Sequence, residues 1–278
     1  MPKTVTVPLV RARKRSAGHP PLVMLTAYDT PGARIADAAG VDVILVGDSL
    51  ANVVLGHPDT LQVDVAVMAH HVGAVARAHP RALVVGDMPW MSYHVSVEDT
   101  VRNGAALVRA GAEAVKLEGG RQRAPMVEAL VAAEIPVMGH LGLTPQSVHA
   151  MGGYKVQAKE AGAAEALLLD AKSLEAAGCF AVVLEGVPDV VAARVTEQVD
   201  VPTIGIGGGP GCDGQVLVFH DVLGLGEGPV PKFVRRYADL ASAAVEAVTA
   251  WAADVRSGAF PSDAETYHQP ADPGPGGP

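Results

Sequence analysis

The chain has 278 residues, 49% of them hydrophobic and 18% charged, enough to bury a large core and matching the size of one (βα)8 barrel with little room for a second full domain. A formal net charge of −9 and a pI near 5.5 exclude the basic footprint of a nucleic-acid binder and point to small-molecule substrates. Cys179 and Cys212 form no C-x-x-C pair and no cluster with histidine, which argues against a disulfide framework or a zinc site and suits a reducing cytosol.

The basic start Arg11-Ala12-Arg13-Lys14-Arg15 leads into a short apolar run, Leu22–Ala27, that stops at Tyr28-Asp29 and fails as a secretory signal. Further Val/Ile/Leu runs follow at Asp42–Val46, Ala82–Val85, Ala114–Leu117, Ile135–Met138, Ala181–Leu184 and Thr203–Ile206, with a weaker one at Val216–Phe219. They alternate with segments of helical period, as βαβ units of a parallel sheet do. Within the runs apolar and polar residues do not alternate, which predicts strands covered on both faces. No run approaches the ~20 consecutive apolar residues of a spanning helix; the expectation is a cytoplasmic protein without membrane contact.

Between the runs, Val65, Met68, Val72 and Val75 share one helical stripe, and Val97, Val101, Ala105 and Val108 share another behind a Ser96-x-x-Asp99 capping pattern. A long last helix is expected over about Lys232 to Ser257, with Phe233, Tyr237, Leu240, Ala244, Val248 and Trp251 on one side and Gly258 and Pro261 as its stop. Residues 1–261 then form a single catalytic domain, and the Pro/Gly-rich tail 262–278 is expected to be disordered because its composition buries no surface. The tally of βα units favours a closed barrel over an open sheet, since Tyr28-Asp29-Thr30-Pro31 stands where an open sheet would carry a glycine-rich nucleotide turn.

In a parallel barrel the active site lies at the C-terminal strand ends. Those ends read Gly47-Asp48-Ser49, Gly86-Asp87-Met88, Leu117-Glu118-Gly119, Gly139-His140-Leu141 and Leu184-Glu185-Gly186. Carboxylates converging in a low-dielectric mouth repel one another unless a cation compensates them. An all-oxygen ligand set selects a hard ion, and Mg2+ takes one or two carboxylates with several waters. Asp48 and Asp87 are the expected direct ligands, with Glu118 beside them or acting through water. For any one of these acids, the competing reading is a helix cap or an acceptor of loop N–H groups.

Lys116, two residues before Glu118, projects the same way on a strand and could bind a substrate carboxylate or sit in an internal ion pair. His140 is either a hydrogen-bond donor to substrate, or a group behind the ligands, or a satisfied core imidazole. The glycines of Gly205–Gly211 could cradle a phosphate or simply fold a tight loop, and Asp213 beside them would repel an anion.

The series Thr26-Ala27-Tyr28-Asp29, Leu45–Leu50, Gly56-His57, Gly86–Pro89, Val115–Gly120, Gly139–Ser147, Gly152–Gln157 and Asp213–Gln215 closely resembles the ketopantoate hydroxymethyltransferase family, in order and over nearly the whole chain. Ala158-Lys159, Gly186 and Gly208 depart from the common pattern without removing a named site residue. The resemblance implies a (βα)8 TIM barrel of the phosphoenolpyruvate/pyruvate-type superfamily, assembled as a homodecamer, a pentamer of dimers. It implies hydroxymethyl transfer from 5,10-methylenetetrahydrofolate to 3-methyl-2-oxobutanoate, giving 2-dehydropantoate for pantothenate biosynthesis. By motif it assigns Asp48 and Asp87 to metal and oxo acid, Glu118 to the metal, Ser49 and Lys116 to substrate, and Glu185 as catalytic base. Two other functions were open to such a barrel. A Mg2+-dependent lyase or mutase would carry a Lys-Lys-Cys-Gly-His-type loop, absent here, and a catalytically silent binding module would not need the intact acidic set.

Overall fold

Most strands of the barrel feed side chains to two cores at once. The computed structural model describes residues 4–226 and 230–269. Its strands are β1 (Leu22–Thr26), β2 (Val43–Val46), β3 (Leu83–Asp87), β4 (Ala114–Glu118), β5 (Val137–Gly142), β6 (Ala181–Glu185), β7 (Thr203–Ile206) and β8 (Gly214–Leu217). All neighbours pair in parallel, and β8 returns to β1 to close the barrel. On β2, Val43 and Leu45 join an inner cluster with Met24, Leu83, Val85, Ala114, Met138 and Val183, whereas Ile44 and Val46 join the outer core beneath the helices. Successive residues point to opposite faces and both faces are apolar, which is why the runs showed no alternation.

The helices supply the outer half of that packing. Val65–Ala76 is capped by Asp64 and buries Met68, Val72 and Val75, close to the expected stripe. Val97–Ala110 begins at Ser96, whose side chain accepts from the Asp99 N–H, but it buries Thr100, Gly104 and Leu107 instead of the valine stripe. Contact distance decides the matter: a Cβ on Gly104 would lie 2.6 Å from Leu130 Cδ2. The glycine lets the next helix, Ala124–Ala132, approach closely, while Val97 and Val108 remain on the exposed side.

Four other expectations are corrected. The last strand lies two residues earlier than the run Val216–Phe219, because closure against β1 demands a glycine: a Cβ on Gly214 would meet Leu22 Cβ at 2.7 Å. The last helix starts at Leu240, where the Asp239 side chain accepts from Ser242 N–H. Phe233 is not on it but lies against Gly207, close enough that a Cβ there would be 2.9 Å from its ring. Of the tail, residues 262–269 carry a 3-10 turn at Asp263–Glu265, closed by a Ser262 capping box; residues 270–278 lie outside the described residues. At the opposite end of the barrel, the helix Val7–Arg11 inserts Val10, fully buried, into the inner cluster.

Candidate active site

The inner face of the barrel carries apolar residues in phase until the C-terminal strand ends, where the same phase delivers charge. Leu83 and Val85 are followed by Asp87, Ala114 by Lys116 and Glu118, Met138 by His140, and Ala181 and Val183 by Glu185. Register aligns them across strands: Asp87 pairs with Lys116, and Glu118 with His140. Asp48 follows the end of β2 by two residues, in the turn that leads into the short helix Leu50–Val53.

All seven candidate residues, Asp48, Ser49, Asp87, Lys116, Glu118, His140 and Glu185, line one cavity of about 870 Å³. Asp48, Asp87, Lys116, Glu118 and His140 are buried, each at most 4% exposed. Lys116 Nζ lies 2.8 Å from Asp87 Oδ1 and 3.9 Å from Glu118 Oε1. The internal ion pair, one of the two readings of Lys116, is therefore present. His140 bridges the other acids, with Nδ1 3.2 Å from Glu118 Oε1 and Nε2 3.2 Å from Glu185 Oε2. Ser49 Oγ hydrogen-bonds the Tyr28 hydroxyl at 2.9 Å.

Charge balance in this space is uneven. Burial, followed by the nearby Asp87 and Glu118 charges, pushes Asp48 well above the ordinary carboxyl range. Burial raises Asp87 too, although Lys116 opposes the shift. Around Lys116, burial disfavours its charge, but Asp87, Glu118 and Asp48 outweigh that cost and hold the ammonium protonated. Burial and Lys116 likewise work against a charged His140, yet Glu118 and Glu185 raise it to about 9. Glu118 resists the effect of burial through His140 and Lys116 and stays below the usual range. Asp48 and Asp87 thus remain under-compensated.

A model of the ketopantoate hydroxymethyltransferase family matches residues 4–263 of this sequence. The chain belongs to that family. It is 57% identical over 266 residues to 3-methyl-2-oxobutanoate hydroxymethyltransferase 2 of Bradyrhizobium diazoefficiens, covering 96% of this chain and 90% of that one. It is also 60% identical over 242 residues to the enzyme of the same name from Ignicoccus hospitalis, covering 87% and 92%. Among solved structures, 2,3-dimethylmalate lyase, a PEP mutase/isocitrate lyase superfamily member, superposes with a TM-score of 0.60 at 17% identity over 96% of this chain and 93% of that one. Phosphonopyruvate hydrolase, solved with oxalate and Mg2+, matches with a TM-score of 0.60 at 17% identity over 95% and 92%. These likenesses establish the fold.

Within this ketopantoate hydroxymethyltransferase family member, every strand-end residue singled out from sequence reaches the same cavity. The strand-end acid that does serve as a cap is Asp29, which accepts from Gly32 N–H at 2.7 Å. The glycine stretch after β7 takes the tight-loop reading: Gly207 and Gly209 have positive φ, and a Cβ on Gly211 would meet Ala193 at 2.8 Å. Asp213 leaves the mouth altogether and lies at the start of β8, bonded to Lys14 and Thr203. Sequence reasoning assigned no role to Gln146 or Tyr93, although Gln146 donates 2.8 Å to Asp48 Oδ2 and both are buried. Only the occurrence of an amide just after the His140 strand signals it. Among the described residues, no set of three or more acids, histidines or cysteines forms a ready-made metal cage.

Proposed function

We propose that this chain transfers a hydroxymethyl group from 5,10-methylenetetrahydrofolate to 3-methyl-2-oxobutanoate, forming 2-dehydropantoate in pantothenate biosynthesis with the help of Mg2+. The observation that carries the reading is the convergence of Asp48, Asp87, Lys116, Glu118, His140 and Glu185 on one cavity, in a chain whose relatives are named 3-methyl-2-oxobutanoate hydroxymethyltransferase. The cavity of about 870 Å³ exceeds what a small oxo acid fills and leaves space for part of a larger one-carbon donor.

The residues present suit a hard dication. Buried Asp87 Oδ1 and Glu118 Oε1 have cations close by but no aligned hydrogen-bond donor, and Asp48 is raised for want of positive charge. The absence of a full protein cage fits an ion that keeps several waters. Asp48 and Asp87 would hold it directly, with Glu118 completing the acidic side. When bound, Mg2+ supplies Lewis acidity toward the oxo acid and makes its C3 proton easier to remove.

The chain's own groups then divide the work. Lys116, on the inner face beside Asp87, balances negative charge left on the oxo acid. Glu185, at the cavity wall and 3.2 Å from His140 Nε2, takes the proton from C3. The C3 electron pair then forms a bond to the folate-borne methylene carbon as one of its two C–N bonds gives its electrons to nitrogen. Water oxygen replaces the second nitrogen on that carbon, and the protons from C3 and from water end on the two nitrogens of the departing tetrahydrofolate. Ser49, held by Tyr28, offers a hydroxyl to the substrate carboxylate.

The chain acts as one catalytic domain over residues 1–261, in the cytoplasm and as a homodecamer. Buried, unpaired Cys179 and Cys212 suit a reducing compartment. The helix Leu240–Ser257 buries none of its residues and exposes Leu240, Val248 and Trp251, a face that a second copy would cover. Light scattering on a sizing column measures this directly, and a monomer would refute the assembly. Turnover of 3-methyl-2-oxobutanoate with methylenetetrahydrofolate should require Mg2+ and stop with EDTA. Turnover indifferent to EDTA would end the metal reading. Glu185→Gln should abolish solvent deuterium exchange at C3 of the oxo acid; exchange at the wild-type rate would remove Glu185 as the base.

A further inference from the structure

Behind the acids lies a neutral group whose hydrogen-bonding capacity is directed at two of them. Gln146 sits in the 3-10 turn Pro145–Ser147 that follows β5, 5% exposed. Its backbone N–H donates to Glu118 Oε2 at 3.0 Å. Its side-chain Nε2 donates to Asp48 Oδ2 at 2.8 Å and to the Met88 carbonyl at 3.0 Å. The remaining atom, Oε1, accepts from the hydroxyl of Tyr93. That same hydroxyl accepts from the Glu118 backbone N–H at 3.2 Å, so Tyr93 ties the amide to the strand that carries Glu118. Tyr93 is 1% exposed, tilted against His94 with ring centroids 4.2 Å apart and covered by Arg123 at 5.5 Å.

This arrangement leaves the amide a single orientation. Turned over, it would set Oε1 against the Met88 carbonyl, an oxygen with no hydrogen to donate, and would lose the bond that Nε2 gives it at 3.0 Å. Held as it is, the side-chain amide pins one oxygen of Asp48, while the backbone N–H of the same residue and the Tyr93 hydroxyl tie the turn to Glu118. The other Glu118 oxygen, Oε1, has no aligned donor. An amide is suited to this task because it donates without carrying charge. A lysine in its place would neutralise the acids that a dication is to meet, and a glutamate would repel them.

We propose that Gln146, braced by Tyr93, is a positioning residue that sets the affinity of the acidic site for Mg2+ by orienting Asp48 and Glu118. The proposal rests on the reading of those acids as metal-holding groups. Groups that orient metal ligands from behind typically change affinity by ~10–100-fold when removed, which sets the expected scale.

The test measures Mg2+ binding by calorimetry on the purified chain, the Mg2+ concentration for half-maximal turnover, and the unfolding temperature of the metal-free protein. Gln146→Met, close in size and unable to donate, should weaken Mg2+ binding by ~10–100-fold while kcat recovers at high Mg2+. Tyr93→Phe keeps the ring but releases the amide, and should move the same way by about 10-fold. It carries the test alone if Gln146→Met does not fold. A merely structural role would lower the unfolding temperature and leave the Mg2+ dependence in place. Unchanged Mg2+ affinity in either folded variant overturns the proposal. Asp87→Asn separates the two layers: wild-type protein that binds no Mg2+, or binding that Asp87→Asn leaves untouched, sinks the metal reading and this proposal with it. Loss of binding in Asp87→Asn with wild-type affinity in Gln146→Met or Tyr93→Phe sinks the positioning proposal only.

Discussion

The two ends of the barrel each hold a lysine, half-buried at the base and fully buried at the mouth, against buried carboxylate, with opposite consequences. At the base, Lys14 Nζ meets the Thr196 carbonyl at 2.6 Å, the Val201 carbonyl at 3.3 Å and Asp213 Oδ2 at 3.0 Å. Asp213 also accepts from Arg15 N–H at 2.9 Å and Thr203 N–H at 2.9 Å. Three ammonium hydrogens find three acceptors, and the aspartate has donors on both oxygens. At the mouth, Lys116 and His140 face Asp48, Asp87, Glu118 and Glu185, and Asp48 and Asp87 are pushed toward protonation by burial. The base is a finished structural joint. The mouth is short of positive charge, the imbalance on which the proposed metal reading rests.

Substitutions can break this contrast. The largest effect belongs to the mouth: Asp48→Ala or Asp87→Ala should lower Mg2+-dependent turnover by at least ~10²-fold, with an unfolding temperature close to wild type or higher in Asp48→Ala, where like-charge repulsion is relieved, and lower in Asp87→Ala, which takes from buried Lys116 its partner at 2.8 Å. Steady-state kinetics and calorimetry together decide it, and near-normal turnover in either variant would erase the functional meaning of the mouth. Next comes the base, where Asp213→Ala should cost about 3 kcal/mol of stability, the lower end for breaking a buried pair, since Lys14 keeps two carbonyl acceptors. Urea unfolding measures this, and kcat of the folded fraction should be unchanged.

Smaller effects sharpen the distinction between an acid that caps a helix and the acids proposed to bind. Asp29→Ala removes the cap of the helix Thr30–Ala38 and should cost about 1 kcal/mol with no change in Mg2+ requirement. The smallest expected effect is in pH dependence. Burial, aided by Arg123, holds His94 down to about 4, below its ordinary value of about 6.5. Between those values the unfolded chain binds a proton that the folded chain does not, so stability should fall as pH drops from 6.5 toward 4. His94→Gln should flatten that part of the curve of unfolding temperature against pH; an unaltered slope would show that the acid sensitivity arises elsewhere.

Legibility in the sequence followed the range of the forces involved. The strand-end acids could be found because the inner-face phase that places Leu83 and Val85 inside also places Asp87 inside, and likewise Ala114, Lys116 and Glu118. The valine stripe of Val97–Ala110 misled because periodicity does not register that a missing Cβ at Gly104 lets Leu130 in. Gln146 was invisible as a functional group because its partners come from the ends of β2, β3 and β4 and from Tyr93.

By itself, the sequence determined the barrel, the family resemblance and which residues stand at the strand ends, since period-two strands and the apolar covering of both faces are local consequences of residue type and spacing. Only the tertiary structure decided which acids go uncompensated and which are satisfied. Asp29, Asp48, Asp87 and Asp213 are the same residue, and their different fates come from the donors, cations and low-dielectric surroundings that folding brings to each.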